Sequence, residues 1–231
     1  MSPSKRPIAL LNVVPLYQER GDNMKKTLNN SKKVKELDVV FLLDRSGSMQ
    51  GNELDTIGGY NSYLDKQRKN KFNTKITTVL FDDQYEVLHN RKNINEVNNI
   101  TENEYYVRGC TALLDAIGKT INNLDKKVKD NKVLFVITTD GLENASKEYN
   151  KDKIKTLIEQ HSNWEFIYIG ANIDSYGEGT SIGIPRKNIS NYSKSKKGTD
   201  TLFRSINYLS ECMCMNESFD ESWKKELENT K

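Results

Sequence analysis

The chain has 231 residues, 29% of them charged and 35% hydrophobic, with a formal net charge of +3. That length makes one domain the default and suffices for a sizeable core. Three cysteines, Cys110, Cys212 and Cys214, are too few for a disulfide framework and fit a reducing compartment, hence a cytoplasmic protein. Cys212-x-Cys214 lacks a second Cys or His pair to complete a zinc site, and no apolar run reaches the ~18 residues that span a bilayer.

Residues 1–37 hold eight Lys/Arg against three Asp/Glu and read as a basic, flexible extension or linker. The rest of the chain is then slightly acidic, which argues against a nucleic-acid face. The apolar stretch 8–16 follows Lys5-Arg6 like a short signal core, but Asn12 and Pro15 interrupt it and no small-x-small cleavage pattern follows, so secretion is not expected. Met24 is an alternative start.

From Asp38 the pattern becomes regular. Residues 39–43 form an unbroken apolar run, the mark of a strand buried on both faces. It ends in Asp44-Arg-Ser46-Gly-Ser48, three oxygen side chains at alternate positions with a glycine that makes the curl cheap. A helix is predicted over 52–69, with Leu54, Ile57, Tyr60 and Leu64 on its apolar face. Strands are predicted at 75–81 and 84–89. Only Asp82-Asp83 separate them, so this pair is an antiparallel hairpin. The second of these strands is polar and suits a sheet edge, with His89 as an exposed strand-end residue. Residues 91–106 are ambiguous, with one helical turn near 94–97.

The loop at Arg108-Gly109-Cys110-Thr111 opens a long helix striped by Leu114, Ile117, Ile121, Leu124 and Val128. Residues 133–137 repeat the doubly buried strand pattern and end in Thr138-Thr139-Asp140-Gly141. A helix follows over about 152–161, with His161 at its last turn, where a cation suits the helix dipole. A strand at 164–169, a short helix within 173–183, a short strand at 188–192 and a helix over 199–214 complete the domain. A charged tail begins at residue 212 and is helical around 219–227. Alternating strands and helices imply an α/β fold with a mostly parallel sheet. Ligands of such sheets bind beyond the carboxyl ends of the strands, where Asp44, Thr111 and Asp140 all fall.

Each of these residues has a plainer use. Ser46 and Ser48 can cap the next helix, Thr111 can be an N-cap, and Asp140 can serve a turn before Gly141. Together they offer oxygen ligands to a hard cation. The Asp-x-Ser-x-Ser run, the distant Thr and the later Asp-Gly, in this order and at strand ends, resemble the von Willebrand factor A domain with its metal-ion-dependent adhesion site. The resemblance covers about residues 38–211. It is nearest to the intracellular bacterial and phage members through Arg-Ser-Gly-Ser-Met, residues 108–114 and residues 170–174.

The resemblance implies a doubly wound, Rossmann-like sheet with helices on both faces and one antiparallel edge strand. It also implies a metal held by Asp44, Ser46, Ser48, Thr111 and Asp140. Ser46 and Ser48 would bind the ion directly, Thr111 and Asp140 directly or through water, and Asp44 mainly through water. The family's ion is Mg²⁺, with Mn²⁺ or Ca²⁺ as alternatives. The expected function is metal-dependent recognition of another protein that supplies an Asp or Glu, by a chain that is monomeric on its own and touches neither nucleic acid nor membrane. The alternatives are an assembly component with a stabilising metal and a metal-dependent hydrolase. Against an enzyme, no Gly-x-Ser-x-Gly elbow or phosphate loop is present, and the candidate bases Asp82, Asp83 and Glu143 read as solvated-turn acids.

Overall fold

The computed structural model describes residues 36–70, 72–128 and 131–229. The N-terminal extension, with its 8–16 stretch and Met24, lies outside them apart from residues 36 and 37. Six strands form one sheet: β1 (Leu37–Asp44), β2 (Thr74–Phe81), β3 (Tyr85–Asn93), β4 (Lys132–Thr139), β5 (Trp164–Gly170) and β6 (Ile189–Asn191). Their order is β3-β2-β1-β4-β5-β6. All neighbours run parallel except β2 and β3, because a two-residue turn cannot return a parallel strand. The chain order reverses direction across the sheet at β1 and β4, which is the switch point where ligands of open α/β sheets bind.

Among the described residues six helices cover the sheet: α1 (Glu53–Lys69), α2 (Leu113–Asp125), α3 (Lys151–Gln160), α4 (Ser175–Ser181), α5 (Lys196–Cys214) and α6 (Ser222–Glu228). The pleat of β1 sorts them. Val39, Phe41 and Leu43 point to one side, with Tyr60 and Tyr63 of α1 and Leu202, Phe203 and Ile206 of α5. Val40 and Leu42 point to the other, with Ile117, Ile121 and Leu124 of α2 and Ile154 and Ile158 of α3. Every residue of β1 is buried, so its apolar run is continuous rather than alternating.

Four expectations need correction. Leu54 is exposed (66%) rather than in the α1 stripe; the buried side runs through Tyr60, Tyr63, Leu64 and Gln67. Gln67 is buried because its amide donates to Asn207 of α5 at 2.8 Å, and the Tyr63 and Ser210 hydroxyls are 3.0 Å apart. Strand β3 continues past His89 to Asn93. There Arg91 grips the buried Asp38 carboxylate, Nε to Oδ1 at 2.6 Å. His89 is therefore mid-strand and buried, opposite Thr78 and 3.4 Å from the Tyr60 hydroxyl.

Third, the charged segment from residue 212, helical to 214 and again near 222–228 as expected, is packed against the domain rather than a detached tail. Helix α5 runs to Cys214, and Cys212, Met213 and Cys214 are buried. Trp223 of α6 is fully buried in the α1/α5 layer, and its indole N–H donates to the Lys187 carbonyl at 2.9 Å. Fourth, Asp82 is fully buried rather than solvated.

Two measurements follow from this packing. Trp223→Ala should cost about 3–5 kcal/mol in urea unfolding, the usual loss for a buried large aromatic, whereas removal of a detached tail would leave the midpoint unchanged. Burial, with the Lys92 charge adding to it, lowers the His89 imidazole to about 4. The unfolded chain takes up this proton near the ordinary value of ~6.5, so the contribution of His89 to stability is complete above that pH and is lost as pH falls toward 4. Between pH 7 and 4 the wild type should lose on the order of 2 kcal/mol more than His89→Gln, read as the difference between their unfolding free energies.

Candidate metal centre

The site is built where β1 and β4 end side by side. The pairing of Leu43 with Thr138 puts Asp44 next to Thr139 and brings Asp140 onto the adjoining loop. Asp44 is fully buried. Its Oδ1 accepts from the Ser46 backbone N–H at 2.7 Å and its Oδ2 from the Thr139 hydroxyl at 2.5 Å. Burial pushes its carboxyl up to about 6; the Thr139 and Ser46 hydrogen bonds oppose the rise, and the nearby Asp140 charge adds to it.

The hydroxyls meet at one place. Ser46 Oγ and Ser48 Oγ are 3.0 Å apart. A Cβ built on Gly141 would lie 2.7 Å from Thr111 Oγ1, 3.0 Å from Ser48 Oγ and 3.5 Å from Ser46 Oγ. Three hydroxyls from two loops thus face one space that the absence of a side chain at residue 141 keeps open. Asp140 stands beside it with Oδ1 buried and without a hydrogen-bond partner, while its Oδ2 is ion-paired with Lys194 Nζ at 2.8 Å.

The capping roles open to the two serines and the threonine are not the ones taken. Ser46 precedes the 3-10 turn Gly47–Met49 but makes no side-chain cap. Asn52, not Ser48, is the N-cap of α1. Ala112, not Thr111, is the N-cap of α2. The structure brings all five sequence-predicted residues, Asp44, Ser46, Ser48, Thr111 and Asp140, to one end of the sheet. The donors are mainly neutral hydroxyls. Among the described residues no three His, Cys, Asp or Glu side chains form a metal-ligating group. A hard cation accepts such an oxygen set and completes it with water.

Several residues that hold the site went unassigned in the sequence. The Thr139 hydroxyl links Asp44 to the Asp140 loop, since it also accepts from the Gly141 N–H at 3.1 Å. The buried Tyr105 hydroxyl donates to the Asp44 carbonyl at 2.5 Å. Beneath the loops, fully buried Arg45 donates from Nε to Asp82 Oδ2 at 3.2 Å and from Nη2 to Glu86 at 2.8 Å. Arg108 reaches the same Asp82 oxygen at 2.5 Å. Backbone bonds then join the three loops: Arg108 N to Arg45 O, Gly47 N to Gly109 O and Ala112 N to Asp82 O, all within 2.8–3.1 Å. Gly109 takes a φ of 65° in this exchange, a conformation that glycine adopts without steric cost.

Glu143 is committed as well. It accepts from the Leu114, Ala145 and Ser146 backbone N–H groups at 2.7–2.9 Å, pinning the Asp140 loop to the start of α2. Asn144 Oδ1 accepts from Thr111 N at 2.9 Å. Neither Asp82 nor Glu143 is the solvated acid expected from the sequence. An acid placed just past a buried strand was the available signal for Asp82.

The von Willebrand factor type A domain model matches residues 38–203. No curated protein matches the sequence. Among solved structures, proximal thread matrix protein 1 from the mussel byssus, with a zinc-occupied MIDAS motif, is 18% identical, with a TM-score of 0.56 over 77% of this chain and 46% of its own. A von Willebrand factor type A protein from Catenulispora acidiphila is 12% identical, with a TM-score of 0.56 over 75% of this chain and 42% of its own. The pilus adhesin SpaC from Lactobacillus rhamnosus GG is 13% identical, with a TM-score of 0.62 over 78% of this chain and 30% of its own. The chain thus spans less than half the length of these three proteins, and at such identities the likeness is one of fold.

The buried ion network supporting the loops has a direct test. Asp82→Asn removes the charge between Arg45 and Arg108, and Glu86 remains for only part of the Arg45 guanidinium. The expected cost is about 3 kcal/mol in chemical unfolding, because a buried guanidinium loses its counter-charge; a cost under about 0.5 kcal/mol would mean the network is incidental.

Proposed function

Because the chain belongs to the von Willebrand factor type A domain family, we propose that it is a protein-recognition module whose divalent cation is held by Asp44, Ser46, Ser48, Thr111 and Asp140. The observation that carries this reading is the meeting of three hydroxyls beside Gly141 next to the unpaired Asp140 Oδ1. All the donors are oxygens, which suits Mg²⁺ best, with Mn²⁺ and Ca²⁺ as alternatives. Neutral hydroxyls quench little of the ion's charge, so it retains the electrophilic pull to take a carboxylate from a partner's Asp or Glu.

The surroundings favour docking over chemistry. Of the four exposed large apolar side chains among the described residues, three lie on the segments that carry the site: Leu54, Tyr106 and Leu142. Exposed apolar groups of this kind supply contact area at interfaces. Of the three candidate bases, Asp82 and Glu143 are committed to Arg45, Arg108 and backbone N–H groups, which leaves them poor candidates, and Asp83 is exposed. Cys110, Cys212 and Cys214 are free thiols, in keeping with a reducing, cytoplasmic setting; we take the chain to be of the intracellular bacterial or phage type and monomeric on its own. No described helix is long and apolar enough to cross a membrane.

Binding of Mg²⁺ or Mn²⁺ should raise the melting temperature by roughly 5 °C or more at a hundredfold excess over Kd. Asp140→Ala and Ser46→Ala should abolish that rise. A partner captured from native extract with Mg²⁺ should be lost on adding EDTA and lost with either variant. Capture that persists unchanged in EDTA overturns recognition through the metal and leaves the ion, at most, a stabiliser of the loops.

A further inference from the structure

We propose that Lys194 is an internal competitor for the cation, and that its ammonium sets how tightly this site holds metal. The inference rests on the metal reading above and goes beyond it, since Lys194 is no ligand. Its Nζ lies 2.8 Å from Asp140 Oδ2 and also donates to the Ser48 carbonyl. One ammonium thereby bridges the two loops that supply Ser46, Ser48 and Asp140.

This is not a loosely placed surface lysine. It lies between β6 and α5, and the backbone on both sides is fixed. The Tyr192 N–H donates to the Gly170 carbonyl at 2.9 Å. Ser195 caps α5, its hydroxyl accepting from the Gly198 N–H at 3.2 Å. Gly198 packs so closely on the Ser193 carbonyl that a Cβ there would lie 1.9 Å from it. The Lys194 side chain is 21% exposed and the Asp140 side chain 2%, so the pair is only partly screened by solvent.

A divalent ion that takes Asp140 draws on the same carboxylate charge. It also repels an ammonium held a few ångströms away. A cation bound through the unpaired Oδ1 therefore weakens the Lys194 pair on Oδ2, and the intrinsic metal affinity is reduced by the stability lost from that internal pair. A released Lys194 would remain at the rim, where it can meet the second acid of an acidic partner.

Calorimetric titration of the full chain with Mn²⁺ tests this, using wild type, Lys194→Met, Lys194→Gln and Asp140→Ala, with folding checked by thermal melts. Lys194→Met keeps the length and apolar stem and removes the charge. It should bind Mn²⁺ roughly tenfold more tightly than wild type, the scale expected for loss of a partly buried ion pair; Lys194→Gln should do likewise. Unchanged or weaker binding in both neutral variants, with binding abolished by Asp140→Ala, overturns the role of Lys194 and leaves the metal site intact. Binding that survives in Asp140→Ala at wild-type strength, or no binding in any protein, overturns the metal reading itself.

Discussion

Two carboxylates placed side by side at the ends of adjacent parallel strands are the constraint around which this molecule is arranged. The register of β1 on β4 brings Asp44 and Asp140 together, and both are buried. Like charges in a poorly hydrated place repel, and each loses solvation. The structure answers this unevenly. Asp44 is supplied with a hydroxyl and a backbone N–H and still has its carboxyl raised by burial. Asp140 receives a single ammonium and keeps one oxygen unpaired. An arrangement of this kind is stabilised by added positive charge, which is what a cation supplies.

Holding such a pair requires a stiff foundation. The loops that carry the ligands stand on a buried cluster in which Asp82 faces both Arg45 and Arg108. A buried ion pair is poor evidence of net stability, because desolvation offsets its attraction. Its geometry is directional, however. Asp82 sits at the end of β2, Arg45 in the β1 loop and Arg108 in the loop before α2, so one carboxylate fixes three segments relative to one another. Tyr105 below and Glu143 beside the site act in the same sense, each tying a loop to a neighbouring element. The candidate ligands are therefore pre-positioned, so that little ordering entropy would be left to lose if an ion binds, as proposed.

The sequence was most legible where burial is two-sided or strictly periodic. Residues 39–43 and 133–137 read as central strands because both of their faces are covered, and the α2 stripe followed the helical period. The five candidate ligands were found because their chemistry sits in short runs next to those strands. What could not be read depends on partners distant in sequence. Gln67 is buried only because Asn207 meets it. Asp82 is buried because two arginines, 37 and 26 residues away, converge on it. Leu54 fits the apolar spacing of α1 but sits in the first turn, away from the buried side. Trp223 looks like part of a charged tail until the 186–189 segment offers carbonyls to its indole and to Lys224.

The choice of hydroxyls over carboxylates as the main donors bears on what such a site is for. A site made only to retain a divalent ion gains affinity with each added carboxylate. Here the oxygens meeting beside Gly141 come from Ser46, Ser48 and Thr111, and of the two acids Asp44 is already committed to internal hydrogen bonds. An ion held in this way keeps much of its charge available to a further ligand. The exposed Leu54, Tyr106 and Leu142 on the same segments then add contact area that a single metal–carboxylate bond lacks. Strong electrostatics in a small centre with apolar contacts around it is how interfaces gain specificity without large area. On the proposed metal reading, such a donor set suits an ion shared with a partner better than one merely stored.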